Sequence, residues 1–549
     1  MPAPESTHPF TYPSGDILFV SSDGVHFKLH KIILSLASEF FQDMFNLPQP
    51  SLESPRASVD DPALCPGPGS DGLPTVHVAE SGAVLENLFR LCYPIANPRF
   101  QTIKDVRPIL EAALKYQMSE AIELTTHKLL ELADTAPVRV YAIACRLCME
   151  TIARAAARIV LDKQLQHTYV EELDEISAVD YHHLLSYCHS LGSTSLTFGD
   201  HATTEPDLQS DTHPVPSEAG SSGVQSLWDP PQVIPPTTTI PSYPGPPCAL
   251  TKAGKSDVVI HTSDDMCVVV PTEIIRLFSP VLSGRLPDDL LPAPYVLPVT
   301  EPCHVLLTLL RICHPSSPLP MLTDLRQITD ALRTAEKYQI LKAKEFLQDT
   351  LWARVQELPS PSPDALAFYF IACQLRLPHV AARAARKTLG LEILEGVSSV
   401  HGAASATGGC LWRLWDYHRR CRATAHAMVN DLDWVAPEWK TKLHTLCLRS
   451  KAPSYRFPCW VKPYLAAMAK EPWPTGALAM DDRVLNMAVQ LDDGSLNYKD
   501  MCSECESPTG MLMLASLSMY MHDSMDAKEK KVRLWWKEPD LPPRMIVAK

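Results

Sequence analysis

Asp16-Ile17-Leu18-Phe19-Val20 and His26-Phe27-Lys28-Leu29-His30 frame a short polar stretch near the start of the chain. Two apolar runs of this length around a turn read as a pair of short β-strands. The string that follows, Ile32-Ile33-Leu34-Ser35-Leu36, has the spacing of a helix instead. The same grammar returns later as Asp257-Val258-Val259-Ile260-His261, Cys267-Val268-Val269-Val270-Pro271 and Glu273-Ile274-Ile275-Arg276-Leu277. Asp16 meets Asp257 and Leu36 meets Leu277 at one offset of 241 residues.

Three further echoes keep the same order. Arg90-Leu91-Cys92-Tyr93-Pro94 matches Arg311-Ile312-Cys313-His314-Pro315. Ala113-Leu114-Lys115-Tyr116-Gln117-Met118 matches Ala335-Glu336-Lys337-Tyr338-Gln339-Ile340, and Tyr141-Ala142-Ile143-Ala144-Cys145 matches Tyr369-Phe370-Ile371-Ala372-Cys373. Ordered matches of this kind mean a duplicated unit of roughly 180 residues. Within each unit a third short strand (Thr75-Val76-His77-Val78; Tyr295-Val296-Leu297-Pro298) gives way to helices. Val84, Leu85, Leu88, Leu91 and Cys92 form one apolar stripe, and Val106, Ile109, Leu110, Ala113 and Leu114 another. The expected fold is α+β, a small sheet packed on a helical cluster, present twice.

These residues resemble the BTB/POZ domain, of the type expanded in mushroom-forming fungi. The resemblance rests on Asp16 to Val20, Val25 to Leu29, His30-Lys31, Leu34 to Ser38 and Phe40-Phe41-Gln42-Asp43-Met44-Phe45. It implies a BTB/POZ domain over 14–132, a helical extension over 133–191, a divergent second BTB-like domain over 256–352 and its own extension over 364–430. Residues 431–549 form a C-terminal region of mixed, unknown fold. In the second copy Pro271-Thr272 replace His30-Lys31, and Val281-Leu282 replace Phe40-Phe41. The resemblance further implies protein–protein binding and self-association, with many members delivering clients to cullin-type ubiquitin ligases.

Composition agrees with this division. The 549 residues include 50 Pro but only 21 Gly, about 9% and 4% against roughly 5% and 7% in ordinary proteins. Seven Pro fall in 48–74, read as a loop insert in the first module, and eleven in 192–255, read as a disordered linker. A linker of 64 residues has a rough reach of 40–48 Å, enough for the two copies to pair within one chain as a pseudo-dimer. The net charge of −14 gives no global field for nucleic acid. Sixteen Cys are ordinary use for an intracellular chain, cytoplasmic or nuclear, with no secretory signal and no membrane span in its sequence. No phosphate-loop, dinucleotide, zinc-protease or nucleophile-elbow motif is present, so neither an enzyme nor a cofactor is expected.

Single residues carry less. Asp16, His30, Lys31, Phe41, Met44 and Phe45 are the candidate partner or dimer face, weighed against turn capping for Asp16, a helix start for His30-Lys31 and core packing for the aromatic group. His26 and His30 share a strand face but span about 13 Å, too far for one ion. Cys502-Ser503-Glu504-Cys505 is one C-x-x-C pair; Cys459, Cys447 and His444 are irregularly spaced partners, so Cys502, Cys505 and Cys459 are only weak zinc candidates and ordinary thiols are expected. His418-Arg419-Arg420-Cys421-Arg422 reads as the polar surface of a helix. Residues 528–549 carry seven basic and three acidic residues, which supports the alternative of a DNA-associated regulator. Pro241-Ser242-Tyr243-Pro244 has P-x-x-P spacing, which arises easily in such a linker.

Overall fold

The computed structural model describes residues 9–47, 73–194, 196, 248–249, 257–286, 295–314, 318–430, 433–446, 457–470, 479–481, 484–485 and 502–534. Most of the Pro-rich insert, nearly all of the linker with its P-x-x-P segment, Cys447 and the tail beyond 534 lie outside the described residues. The chain divides into two compact units, residues 1–198 with 358–549, and residues 199–357.

The first unit opens with β1 (Ile17–Val20) antiparallel to β2 (His26–Leu29), Phe19 facing Phe27. Alternation turns Ile17, Phe19, Phe27 and Leu29 inward, as strand geometry requires. Two short helices follow, α1 (Lys31–Ala37) and α2 (Glu39–Asn46). Then β3 (Thr75–His77) joins β1 in parallel, giving the order β2-β1-β3. Helices α3 (Gly82–Arg90), α4 (Ile103–Lys115) and α5 (Ser119–Leu132) complete the module. Phe89 is the hub of its core, with ring centroids 5.6–5.9 Å from those of Phe10, Phe19 and Phe27. The module starts earlier than residue 14. Phe10 is fully buried, Lys28 N donates to Phe10 O at 2.9 Å, and Thr11 bridges Lys28 in parallel.

The helical extension continues this unit: α6 (Pro137–Arg146), α7 (Glu150–Asp162), a 3-10 turn at Glu171–Glu175, and α8 (Ala178–His189).

The second unit repeats the strand and helix order of residues 17–132. It begins with a two-residue strand, β4 (Cys248–Ala249), parallel to β6 (Cys267–Pro271), so the disordered-linker expectation for 192–255 fails at that end. β5 (Asp257–His261) lies between β6 and β7 (Tyr295–Pro298), antiparallel to one and parallel to the other. Helices α9 (Thr272–Phe278), α10 (Pro280–Ser283), α11 (Cys303–Cys313), α12 (Leu325–Lys337) and α13 (Leu341–Glu357) follow.

Local hydrogen bonds recur with the elements. Ser21 Oγ donates to Asp23, whose Oδ1 accepts from Gly82 N at 2.8 Å; Thr262 donates to Asp264, whose Oδ1 accepts from Cys303 N at 3.0 Å. Ser38 Oγ caps α2 at Phe41 N and donates to Tyr116 O; Ser279 Oγ caps α10 at Leu282 N and donates to Tyr338 O, each cap at 3.1 Å. Burial alone would raise the Glu80 carboxyl, but the Lys115 ammonium and the Tyr116 hydroxyl hold it below the usual carboxylate range. Lys337 and Tyr338 do the same for Glu301. Gln117 and Gln339 both take a left-handed φ (51° and 54°) where a helix ends and the next begins.

Residues 358–549, in the first unit, carry α14 (Asp364–Gln374), α15 (Pro378–Lys387) and α16 (Gly408–Asn430). The two extensions meet there. Ala178 N donates to Ala406 O at 2.7 Å and Gly408 N to Ile176 O at 2.8 Å, an antiparallel bridge of Ser177 with Thr407. Tyr141 OH bonds Asp180 O and Tyr369 OH bonds Cys410 O, both at 2.8 Å. His167 stacks on Trp415 at 4.2 Å, Trp412 Nε1 donates to His167 O, and Arg413 pairs with Asp174.

Beyond 431 the described residues are helical with no strand: α17 (Pro437–Leu446), α18 (Val461–Lys470), a short helix at Ser503–Glu506 and a long one at Pro508–Glu529. Ala425, Met428 and Val429 of α16 share one core with Trp460, Tyr464, Leu517 and Met521, so no boundary falls at residue 430. The polar-surface reading of 418–422 also needs correction. His418 and Cys421 are buried and only the arginines emerge, because α16 is packed on several sides.

That burial has a pH signature. Desolvation pushes the His418 imidazole down to about 3, with Thr388 Oγ1 2.8 Å from its Nε2. The unfolded chain binds this proton near pH 6.5 and the folded chain does not. Stability is therefore fully present above about pH 6.5 and lost as pH falls toward the folded value. His418→Asn is expected to flatten the pH 4–6.5 slope of the melting temperature, as read by thermal unfolding; an unchanged slope would assign it to other groups.

Candidate protein-interaction surface

The residues nominated from sequence divide into two groups. Asp16 is exposed, and its Oδ1 accepts from Lys31 N at 2.7 Å, satisfying a first-turn donor of α1. His30 N donates to the Tyr93 hydroxyl at 2.9 Å, and the His30 ring meets Ser14 Oγ at 2.9 Å and Tyr12 edge-on-tilted at 5.6 Å. Burial pushes the Tyr93 phenol up to about 12, so it stays a neutral donor and acceptor. Lys31 Nζ lies 5.8 Å over the Phe45 ring, within cation–π reach. Asp16, Lys31 and Phe45 thus cluster at one end of α1 and α2.

Phe41 does not belong to a partner face. It is 1% exposed and stacks on Tyr116 at 5.1 Å, one of the large side chains of the core. Met44 and Phe45 are half-buried and pack against that core. Helix α2 places Phe41 inward because its Ser38 cap is tied to Tyr116, which fixes the helix rotation.

The surface that is apolar and exposed lies beside these residues. Ile32 is 69% exposed and Leu36 84%, four apart on α1, with Phe40 and Leu47 also exposed on and after α2. The signal was present in the sequence: four apolar residues in five, on a helix of seven, cannot all turn to one core. In the second module the equivalent of Leu36, Leu277, is 86% exposed, while Glu273 stands where Ile32 stands. There α10 has only four residues, so Met44 and Phe45 have no counterpart.

The sequence model of the BTB/POZ domain family matches residues 14–63. A BTB/POZ domain is present there. The described part of that segment is β1, β2, α1 and α2, the elements that carry the exposed apolar row. BTB/POZ domains mediate protein–protein interaction and self-association, and such a row suits that work. No curated protein matches the chain.

Elsewhere, the three cysteines read as weak zinc candidates, Cys459, Cys502 and Cys505, come together in space. His444 stacks on Phe457 two residues before Cys459. The start of the basic tail bends back on α16, where Arg420 Nη2 donates to Arg533 O at 2.9 Å. Among the described residues no helix is long and apolar enough to cross a membrane.

Proposed function

We propose that this chain is a non-enzymatic interaction scaffold or adaptor of the cytoplasm or nucleus, built on the BTB/POZ domain and a divergent second BTB-like copy. The single observation that carries the reading is the meeting of the two extensions inside one chain, by reciprocal backbone bonds at Ser177 and Thr407. Each extension follows one copy, so their pairing favours closure within the chain over closure between chains. The recurring Ser/Thr–Asp, Ser–Tyr and Glu–Lys–Tyr hydrogen bonds support common descent of residues 248–357 with the BTB/POZ domain. In this reading the two copies pair as a pseudo-dimer, the tether raising their effective concentration to about millimolar. The paired copies then present clients to a cullin-type ubiquitin ligase.

Ile32→Asp with Leu36→Asp in the full chain tests the pairing face. Neither side chain belongs to the module's own core, so the module's melting temperature is expected to hold while the hydrodynamic radius grows. Unchanged radius at unchanged stability would remove α1 from the pairing. The adaptor role is tested by mixing the chain with a purified cullin. Co-elution is expected on size exclusion, and separate elution at micromolar concentration would sink that role.

A further inference from the structure

Cys459 opens the approach to α18, whereas Cys502 precedes and Cys505 lies within the short helix Ser503–Glu506, yet their three sulfurs lie within 4.8 Å of one another. The pair 43 residues apart, Cys459 and Cys502, has its sulfurs at 3.9 Å. A disulfide requires about 2.05 Å. Two thiolates on one zinc ion, each about 2.3 Å from the metal at tetrahedral angles, stand about 3.8 Å apart. The observed spacing excludes a disulfide and admits ligands around one ion.

The surroundings fit as well. Cys459 N–H points at Cys505 Sγ, with 3.4 Å between nitrogen and sulfur, the kind of backbone donor that steadies a metal-bound thiolate. Cys505 is fully buried and the other two are half-buried, so the cluster sits at the edge of a core rather than on an open surface. Three soft sulfurs and one further position select zinc over magnesium or calcium.

We propose that Cys459, Cys502 and Cys505 bind one structural zinc ion, which ties the α18 segment to the helix pair at Ser503–Glu529. On binding, three thiols lose their protons and three Zn–S bonds form, with no change of oxidation state. The site is distinct from the BTB/POZ surface and independent of it.

The full chain, purified without chelator from zinc-containing medium, is expected to carry about one zinc per molecule by elemental analysis. Cys505→Ser and Cys459→Ser are each expected to bring zinc to background. Because either variant could misfold, the wild-type chain is also stripped with chelator and titrated with cobalt(II). A thiolate-to-cobalt charge-transfer band, saturating at one ion per chain and erased by zinc, is the expected result. Zinc at background in the wild type without a cobalt band, zinc unchanged in Cys505→Ser, or a Cys459–Cys502 disulfide in a non-reduced peptide map would each overturn the assignment.

Discussion

Phe89→Ala is expected to destabilise the BTB/POZ module strongly while leaving the second unit's stability unchanged. The Phe89 ring is fully buried and edge-packed against three other rings, Phe10, Phe19 and Phe27. Removing it deletes the transfer energy of the ring and leaves a cavity bounded by a sheet and helices that cannot close on it, a cost of about 3–5 kcal/mol. Against a typical domain stability of about 5–15 kcal/mol, that is a large fraction. Hydrogen exchange by mass spectrometry reads the outcome segment by segment. Protection is expected to fall across residues 10–132 and to persist across 257–357. Equal loss in both would mean that the two modules fold as one cooperative body, contrary to the two-unit division.

Gly408→Val is expected to have the second large effect, because it strikes the pairing of the extensions. Gly408 N is committed to Ile176 O, and a Cβ built at Gly408 would stand 3.0 Å from Leu173 O and from Tyr181 Cβ. At Gly409 a Cβ would fall 1.9 Å from the Asp174 carboxylate. Neither backbone nor ring can retreat without losing the bridge, so overpacking costs about 1–3 kcal/mol with the bridge bonds in addition. The readout is a chain carrying a protease site in the linker, cut after purification. The wild-type fragments are expected to co-elute on size exclusion, held by the extensions. The Gly408→Val fragments are expected to separate. Co-elution of the variant would show that the bridge contributes little.

Much of the fold was legible in the sequence because a repeat is read by offset, and offset survives substitution. Leu36 with Leu277 and Tyr141 with Tyr369 mark positions that the structure fills with the same element and, at the two tyrosines, the same hydrogen bond. What was missed is short or distant. Phe10–Thr11 and Cys248–Ala249 pair for only one or two residues, too few to leave a periodicity, and the second lies against a proline-rich run. His418 reads as surface because three arginines surround it, whereas burial there is decided by what packs on α16 from other segments. Phe41 and Leu36 are both apolar helix residues; only the Ser38–Tyr116 tether tells which one turns inward. The sulfur cluster needs Cys459 brought across 43 residues to Cys502, a distance that no local motif encodes.

The proposed function rests on residues 256–352 being a second BTB-like copy that pairs with the BTB/POZ domain within one chain. Light scattering of the purified full chain over a wide concentration range tests it most directly. The expected result is a mass of 60.8 kDa throughout, with a radius that rises in Ile32→Asp/Leu36→Asp at the same mass. A stable mass of twice that value, returned to 60.8 kDa by the same two substitutions, would place the pairing between chains and contradict the claim.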